Sequence, residues 1–180
     1  LDLRGWAKYY TEGCHAVTPI SRAVPAQSLD ARIKNRSRLS YTIADAEARL
    51  VDPAAQCVIL DVDGYVSENK GGNVFAVING VVCTPTTENC LAGISRQTVL
   101  ELAQAAGFPT RECRLQMYDL YSADEVFFTS TPYCIMPATQ FNGLPVADGN
   151  VGPVTKQLLS AWSDLVGMNI ASQAQRQMTD

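Results

Sequence analysis

Three dipeptides constrain the architecture most: Asp63-Gly64, Asn79-Gly80 and Asn142-Gly143, each beside runs rich in Val, Ile, Phe or Tyr. A two-residue hairpin loop needs positive φ at its centre, which Gly adopts freely and Asn or Asp tolerate. Each pair therefore predicts an antiparallel hairpin. Strand 57–61 turns back into 65–68, strand 73–78 into 81–83, and strand 134–141 ends at Asn142-Gly143. A further strand is expected at 125–130, with an irregular one at 16–24 that Pro19 disrupts.

Helices fall between these hairpins. In 37–50, Leu39, Ile43, Ala46 and Leu50 recur at spacings of three or four and predict one apolar face. A second helix opens near Ser95 as its cap, with Val99, Leu102 and Ala106 inward and Gly107 as its stop. A third runs from Pro153 to about residue 166, with proline in the first turn. Residues 1–13 show no clear period, and the polar tail from Ala171 is expected to fray. Hairpins outnumber helical crossovers, so the expected class is α/β (α+β), with mixed, largely antiparallel sheets and flanking helices. Residues 1–24 read as a linker and first strand, and 25–180 as one domain.

Composition removes several functions. With 47% hydrophobic residues the 180-residue chain can bury a core. The net charge is −4 and no basic stripe exists, which argues against nucleic acid. Six cysteines form no CxxC pair, so they read as buried thiols of a reducing cytoplasm. With His15 the single histidine, a zinc site built from several imidazoles and a histidine-based triad both lack support. No apolar run is long enough to span a membrane. The chain starts without methionine, which reads as a fragment or a processed product.

Four stretches carry candidate chemistry. Lys34, one of four lysines, follows Ile33 and precedes a helix. Partly buried beside Arg32, Arg36 and Arg38, it would lose its proton more readily and become a better amine nucleophile. Glu68 ends a strand before Asn69-Lys-Gly-Gly72, where glycines let a ligand come close. Ionised, it would hold a proton on a pyridine nitrogen. In Leu91-Ala-Gly93-Ile94-Ser95-Arg96, a glycine before a helix start leaves backbone N–H groups free for a phosphate monoester. The strand 125–130 ends in Thr129, Ser130 and Thr131, whose hydroxyls suit the same anion. Each stretch alone also fits an ordinary surface lysine, hairpin end, helix cap or turn, and Asn73 alone fits a residue tied to its own loop.

Together, in this order and spacing, the stretches resemble the fold type IV pyridoxal-phosphate enzymes. That class IV aminotransferase family includes branched-chain and D-amino acid aminotransferases, (R)-selective amine transaminases and aminodeoxychorismate lyase. The resemblance rests on Ile-Lys-Asn with Glu-Ala thirteen residues after the lysine, Asp-Gly-x-x-x-Glu-x-x-x-x-Asn-x-Phe, Leu-x-Gly-Ile-Ser-Arg, Ala-Asp-Glu-Val-Phe with Thr131, and Gly-Pro-Val-Thr at 152–155. It implies that Lys34 forms the Schiff base with pyridoxal 5'-phosphate and shuttles protons. Glu68 then partners the pyridine nitrogen, Leu91 packs on the ring, and Gly93, Ile94, Ser95, Thr131 and Asn73 complete the cofactor bed. Arg38, Pro132 and Tyr133 would border the substrate.

The implied reaction moves an amino group between an amino acid or amine and a keto acid, in a cytoplasmic homodimer. A lyase of the aminodeoxychorismate type and a catalytically incomplete domain are the alternatives. Family members also carry an N-terminal domain of roughly a hundred residues, a usual domain size, which this chain is expected to lack. Pro132 has no N–H to offer a substrate carboxylate.

Overall fold

The computed structural model describes residues 2–178. Its centre is a pair of antiparallel strands, β3 (Asn73–Ile78) and β6 (Glu125–Ser130), which match the expected spans. Both are apolar on both faces, as strands covered from two sides must be. Phe75 and Phe127 stack with ring centroids 5.0 Å apart on one face. Val74, Ala76, Val126 and Phe128 fill the other.

Around them lies one eight-stranded mixed sheet. Its order is β2 (Gln56–Cys57), β1 (Cys14–Val17), β7 (Cys134–Phe141), β6, β3, β4 (Val81–Thr84) and β5 (Thr110–Glu112), and β8 (Leu144–Pro145) pairs with β7. The β3–β4, β3–β6, β6–β7 and β7–β8 pairs are antiparallel. The β1–β2, β1–β7 and β4–β5 pairs are parallel. Positive φ at Asn79, Gly80, Asn142 and Gly143 bears out two hairpin turns. At the third, Gly64 has φ +88 and Asp61 Oδ1 accepts from the N–H groups of Asp63 and Tyr65. The chain does pair back there, but through isolated bridges rather than a full strand over 57–61.

Helices α4 (Ile94–Ala105), α6 (Pro153–Val166) and α7 (Ile170–Arg176) cover the Phe75 face with Val99, Leu100, Leu158, Trp162 and Ala174. Leu120 of α5 (Met117–Tyr121) closes the other face. The expected limits of α6 hold, and Gly167 ends it in the left-handed region. The expected fraying tail is instead α7, capped by the Asn169 side chain and anchored by buried Ile170. Thr179 and Asp180 lie outside the described residues.

Residues 2–13 contain two short helices, α1 (Arg4–Ala7) and α2 (Tyr9–Glu12), whose Ala7, Tyr9 and Tyr10 are buried. The first strand is shorter than 16–24, because Pro19 lies just past it, and it sits inside the sheet between β2 and β7. Within the segment expected as linker and first strand, residues 14–17 join the sheet.

The largest correction concerns α3 (Leu39–Val51). Its predicted inward face is the outer one: Leu39 is 69% and Leu50 88% exposed, and Ile43 and Ala46 are exposed too. The helix packs instead through Ala44 and Ala48 against Val17, Cys57 and Ile59. Small side chains permit that close approach, whereas periodicity identifies an apolar stripe without saying what it faces.

Candidate functional site

A cavity of about 630 Å³ opens where β3 begins and β6 ends. Asn73 and Thr129 are directly paired there. The cavity draws together Lys34, Arg38, Glu68, Asn73, Leu91, Gly93, Ile94, Ser95, Thr131, Pro132 and Tyr133. Every residue that the sequence assigns to the cofactor or substrate therefore lines one space, and its volume falls within the range of ligand and cofactor sites.

Glu68 is a buried carboxyl group of this space, only 4% exposed. Its Oε1 accepts from the Tyr41 hydroxyl at 2.6 Å, and its Oε2 from the Leu91 N–H at 3.2 Å. Burial pushes the carboxyl above its ordinary range, while the Tyr41 and Leu91 hydrogen bonds and the Arg38 charge pull it down. Its ionised form would be an acceptor for a cationic N–H donor.

Asn73 does more than tie its own loop. Its Nδ2 donates to Leu91 O at 2.8 Å, fixing the turn that leads into α4. The cap of α4 is Gly93, not Ser95, and no side chain caps it. Ile94 and Ser95 are thus the first two helical residues. Their N–H groups belong to the helix end that carries partial positive charge. A Cβ on Gly93 would run into the Asn73 Oδ1, so any larger residue there must displace that side chain.

Across the cavity, Thr129 donates to Cys134 O at 2.7 Å and Ser130 to Gly71 O at 2.7 Å. Those two hydroxyls hold the loop, whereas Thr131 stands exposed on the cavity wall. Tyr133 is buried, and its hydroxyl has no partner among the described residues. A Cβ on Gly72 would lie 2.6 Å from that hydroxyl.

Lys34 lines the cavity but is exposed, so the expected partial burial is not met. Its neighbours are not simply a cationic cluster either. Arg32 is paired with Asp30. Arg38 donates to Lys70 O at 2.7 Å and lies over the Tyr41 ring at 4.0 Å.

Sequence reasoning missed Tyr41, Lys70 with Asp45 (2.7 Å), and Trp6, which also borders the cavity. The signal for Tyr41 is its place seven residues after Lys34, in the first turn of the helix, but the apolar stripe of α3 points to the opposite side. Arg96, though part of the quoted motif, is structural: it donates to Pro85 O at 2.8 Å and pairs with Glu112. His15 bridges Asp52 and the Gly143 N–H, away from the cavity. Among the described residues no cluster could hold a metal ion, and no helix is long and apolar enough to cross a membrane.

These elements fit a ring-and-phosphate cofactor: an uncapped helix start for the phosphate, a buried carboxylate for a ring nitrogen, and a lysine amine on the same wall. Comparison with known proteins agrees on the family. A branched-chain-amino-acid aminotransferase of Escherichia coli is 37% identical over 150 residues, 83% of this chain and 48% of that protein. The Pseudomonas aeruginosa protein of the same name is 42% identical over 113 residues, 63% of this chain and 37% of that one.

A crystal structure of the E. coli aminotransferase superposes with a TM-score of 0.85 at 34% identity, covering 88% of this chain and 53% of that one. The branched-chain amino acid aminotransferase of T.th., complexed with N-(5'-phosphopyridoxyl)-L-glutamate, superposes at 0.82 and 28% identity, with 87% and 52% covered. The chain thus spans about half or less of the length of the relatives it matches. The amino-transferase class IV family model matches residues 5–141, a stretch that includes every residue gathered around the cavity, and the chain belongs to that family.

Proposed function

We propose that this chain is the cofactor-bearing part of a pyridoxal-phosphate-dependent aminotransferase that moves an amino group between an amino acid or amine and a keto acid. The observation that carries this reading is the meeting of an amine, a buried carboxylate and an uncapped helix start in one cavity. The relatives named for branched-chain amino acids support testing those donors first.

When bound, pyridoxal phosphate supplies an aldehyde that captures amines and a ring that draws electrons from the amine-bearing carbon. Lys34 Nζ is the amine that holds the cofactor and, once displaced, the base that moves a proton at that carbon. Glu68 keeps a proton on the ring nitrogen. The N–H groups of Ile94 and Ser95, the Ser95 hydroxyl and Thr131 bind the phosphate, with Gly93 giving it access and Asn73 fixing that turn. Leu91 packs on the ring. Arg38, Pro132 and Tyr133 border the substrate, and since proline offers no N–H, the substrate carboxylate takes its donors elsewhere.

A cytoplasmic homodimer completes the reading. The six free thiols support the compartment, and the family resemblance supports the dimer. The test is to load the complete protein with pyridoxal phosphate, reduce with borohydride and map the labelled peptide. The label is expected on Lys34, and Lys34→Ala should remove both it and the visible band. Labelling spread over Lys8, Lys70 and Lys156 would refute the assignment.

A further inference from the structure

Glu68 depends on a residue that does not itself line the cavity. Tyr41, in the first turn of α3, donates to Glu68 Oε1 at 2.6 Å. With Glu68 ionised, the carboxylate can only accept, so the hydroxyl must be the donor in this bond. Its length lies in the range of hydrogen bonds to ionised oxygen.

The Tyr41 ring is itself held, with the Arg38 guanidinium 4.0 Å above it. Arg38 is tied in turn to Lys70 O, and Lys70 to Asp45 on the next turn of α3. Arg38 and Tyr41 are the titratable groups that act on Glu68, and buried Cys90, whose thiol burial and the Glu68 charge push up to about 12, stays neutral beside it. Burial and the Glu68 charge together hold the Tyr41 phenol well above its ordinary value, so it remains a donor.

We propose that Tyr41 is a positioning residue, which holds Glu68 ionised and aimed so that Glu68 can keep a proton on the cofactor's ring nitrogen. This rests on the role given to Glu68 above. Tyr41 acts through Glu68 and touches neither substrate nor cofactor. The Arg38 stack fixes the ring plane, so the hydroxyl meets Oε1 without searching rotamers, while the Leu91 N–H fixes Oε2.

The test uses Tyr41→Phe, which keeps the ring and its stack on Arg38 and removes only the hydroxyl, beside Glu68→Gln, both in the complete protein. Two readouts are needed. In cofactor-free protein with ¹³C-labelled glutamate, the Glu68 titration should move upward in Tyr41→Phe, because a donor to the ionised form is gone. In protein loaded with ring-¹⁵N pyridoxal phosphate, the protonated-ring signal near neutral pH should fall by a factor of about two to ten in Tyr41→Phe, and at least as far in Glu68→Gln.

An unmoved Glu68 titration overturns the proposal, as does a ring that stays fully protonated in Tyr41→Phe while losing its proton in Glu68→Gln. If Glu68→Gln itself keeps the ring protonated, the role of Glu68 fails instead. The first readout does not depend on the cofactor, so it still decides whether Tyr41 controls Glu68.

Discussion

Gly93 shows how a single residue was legible in the sequence for an incomplete reason. Its backbone, φ −68 and ψ 138, is one any residue adopts, so conformational freedom is not what requires glycine there. What requires it is the Asn73 side chain, whose Oδ1 occupies the place a Cβ would take. Gly93→Ala should displace Asn73 and break its 2.8 Å bond to Leu91 O, at a cost of about 1–3 kcal/mol from overpacking. Phosphate binding at α4 should weaken with it. Thermal melting and a cofactor titration would check both effects, and a variant as stable as the parent would show that Asn73 can move freely. The types of the site residues were legible because charge and glycine are local signals. Their partners were not, since the Tyr41 hydroxyl meets a carboxylate 27 positions away.

At the scale of elements, two motifs that stand apart in the sequence are one device in the structure. Glu125 begins β6, and Gly152-Pro153 opens α6. The Glu125 carboxylate, 6% exposed, accepts from the N–H groups of Val154 and Thr155 at 2.8 and 2.7 Å. It thereby caps a helix that lacks a side-chain cap of its own from the preceding residue, and its charge sits at the favourable end of the helix dipole. Gly152 is small because a Cβ there would collide with that same glutamate. Glu125→Ala leaves two N–H groups without partners and should destabilise the fold by about 2–4 kcal/mol. Glu125→Gln, which keeps one acceptor, should lose less. Denaturant midpoints of the two variants would test the ranking, and equal midpoints for Glu125→Ala and the parent would contradict the capping account. The start of α6 could be read from Pro153 and its end placed near residue 166, where Gly167 stops it. The cap could not, because nothing local links positions 29 and 30 residues apart.

For the whole molecule, the hairpins were legible because Asn-Gly and Asp-Gly encode their own turns, while the parallel placement of β1 beside β7 was not, since residues 14 and 138 share no local signal. The same separation governs how stability responds to pH. Asp52 is held below its ordinary value by the Ala54 N–H and His15, and Glu47 by the Ser21 N–H and hydroxyl. A depressed carboxyl contributes stability above its unfolded value and loses it as pH falls through its folded value, so these two, with the exposed Asp2, Asp30 and Asp148 that are lowered in the same way, form an acid limb. Glu68 behaves oppositely. Burial raises it above 4.5, so its contribution is full below that pH and is lost as pH rises through its folded value. The cofactor-free protein should therefore be most stable in weak acid and weaken toward neutrality. Glu68→Gln removes the ionisation that causes the second loss. Urea midpoints measured from about pH 3 to about pH 8 should show a flatter upper limb in Glu68→Gln and an unchanged acid limb. Parallel curves for variant and parent would mean that the buried charge of Glu68 is already balanced within the cofactor-free protein. A flatter limb would mean that the site holds an uncompensated carboxylate, the condition under which a protonated ring nitrogen stabilises the whole fold when it binds.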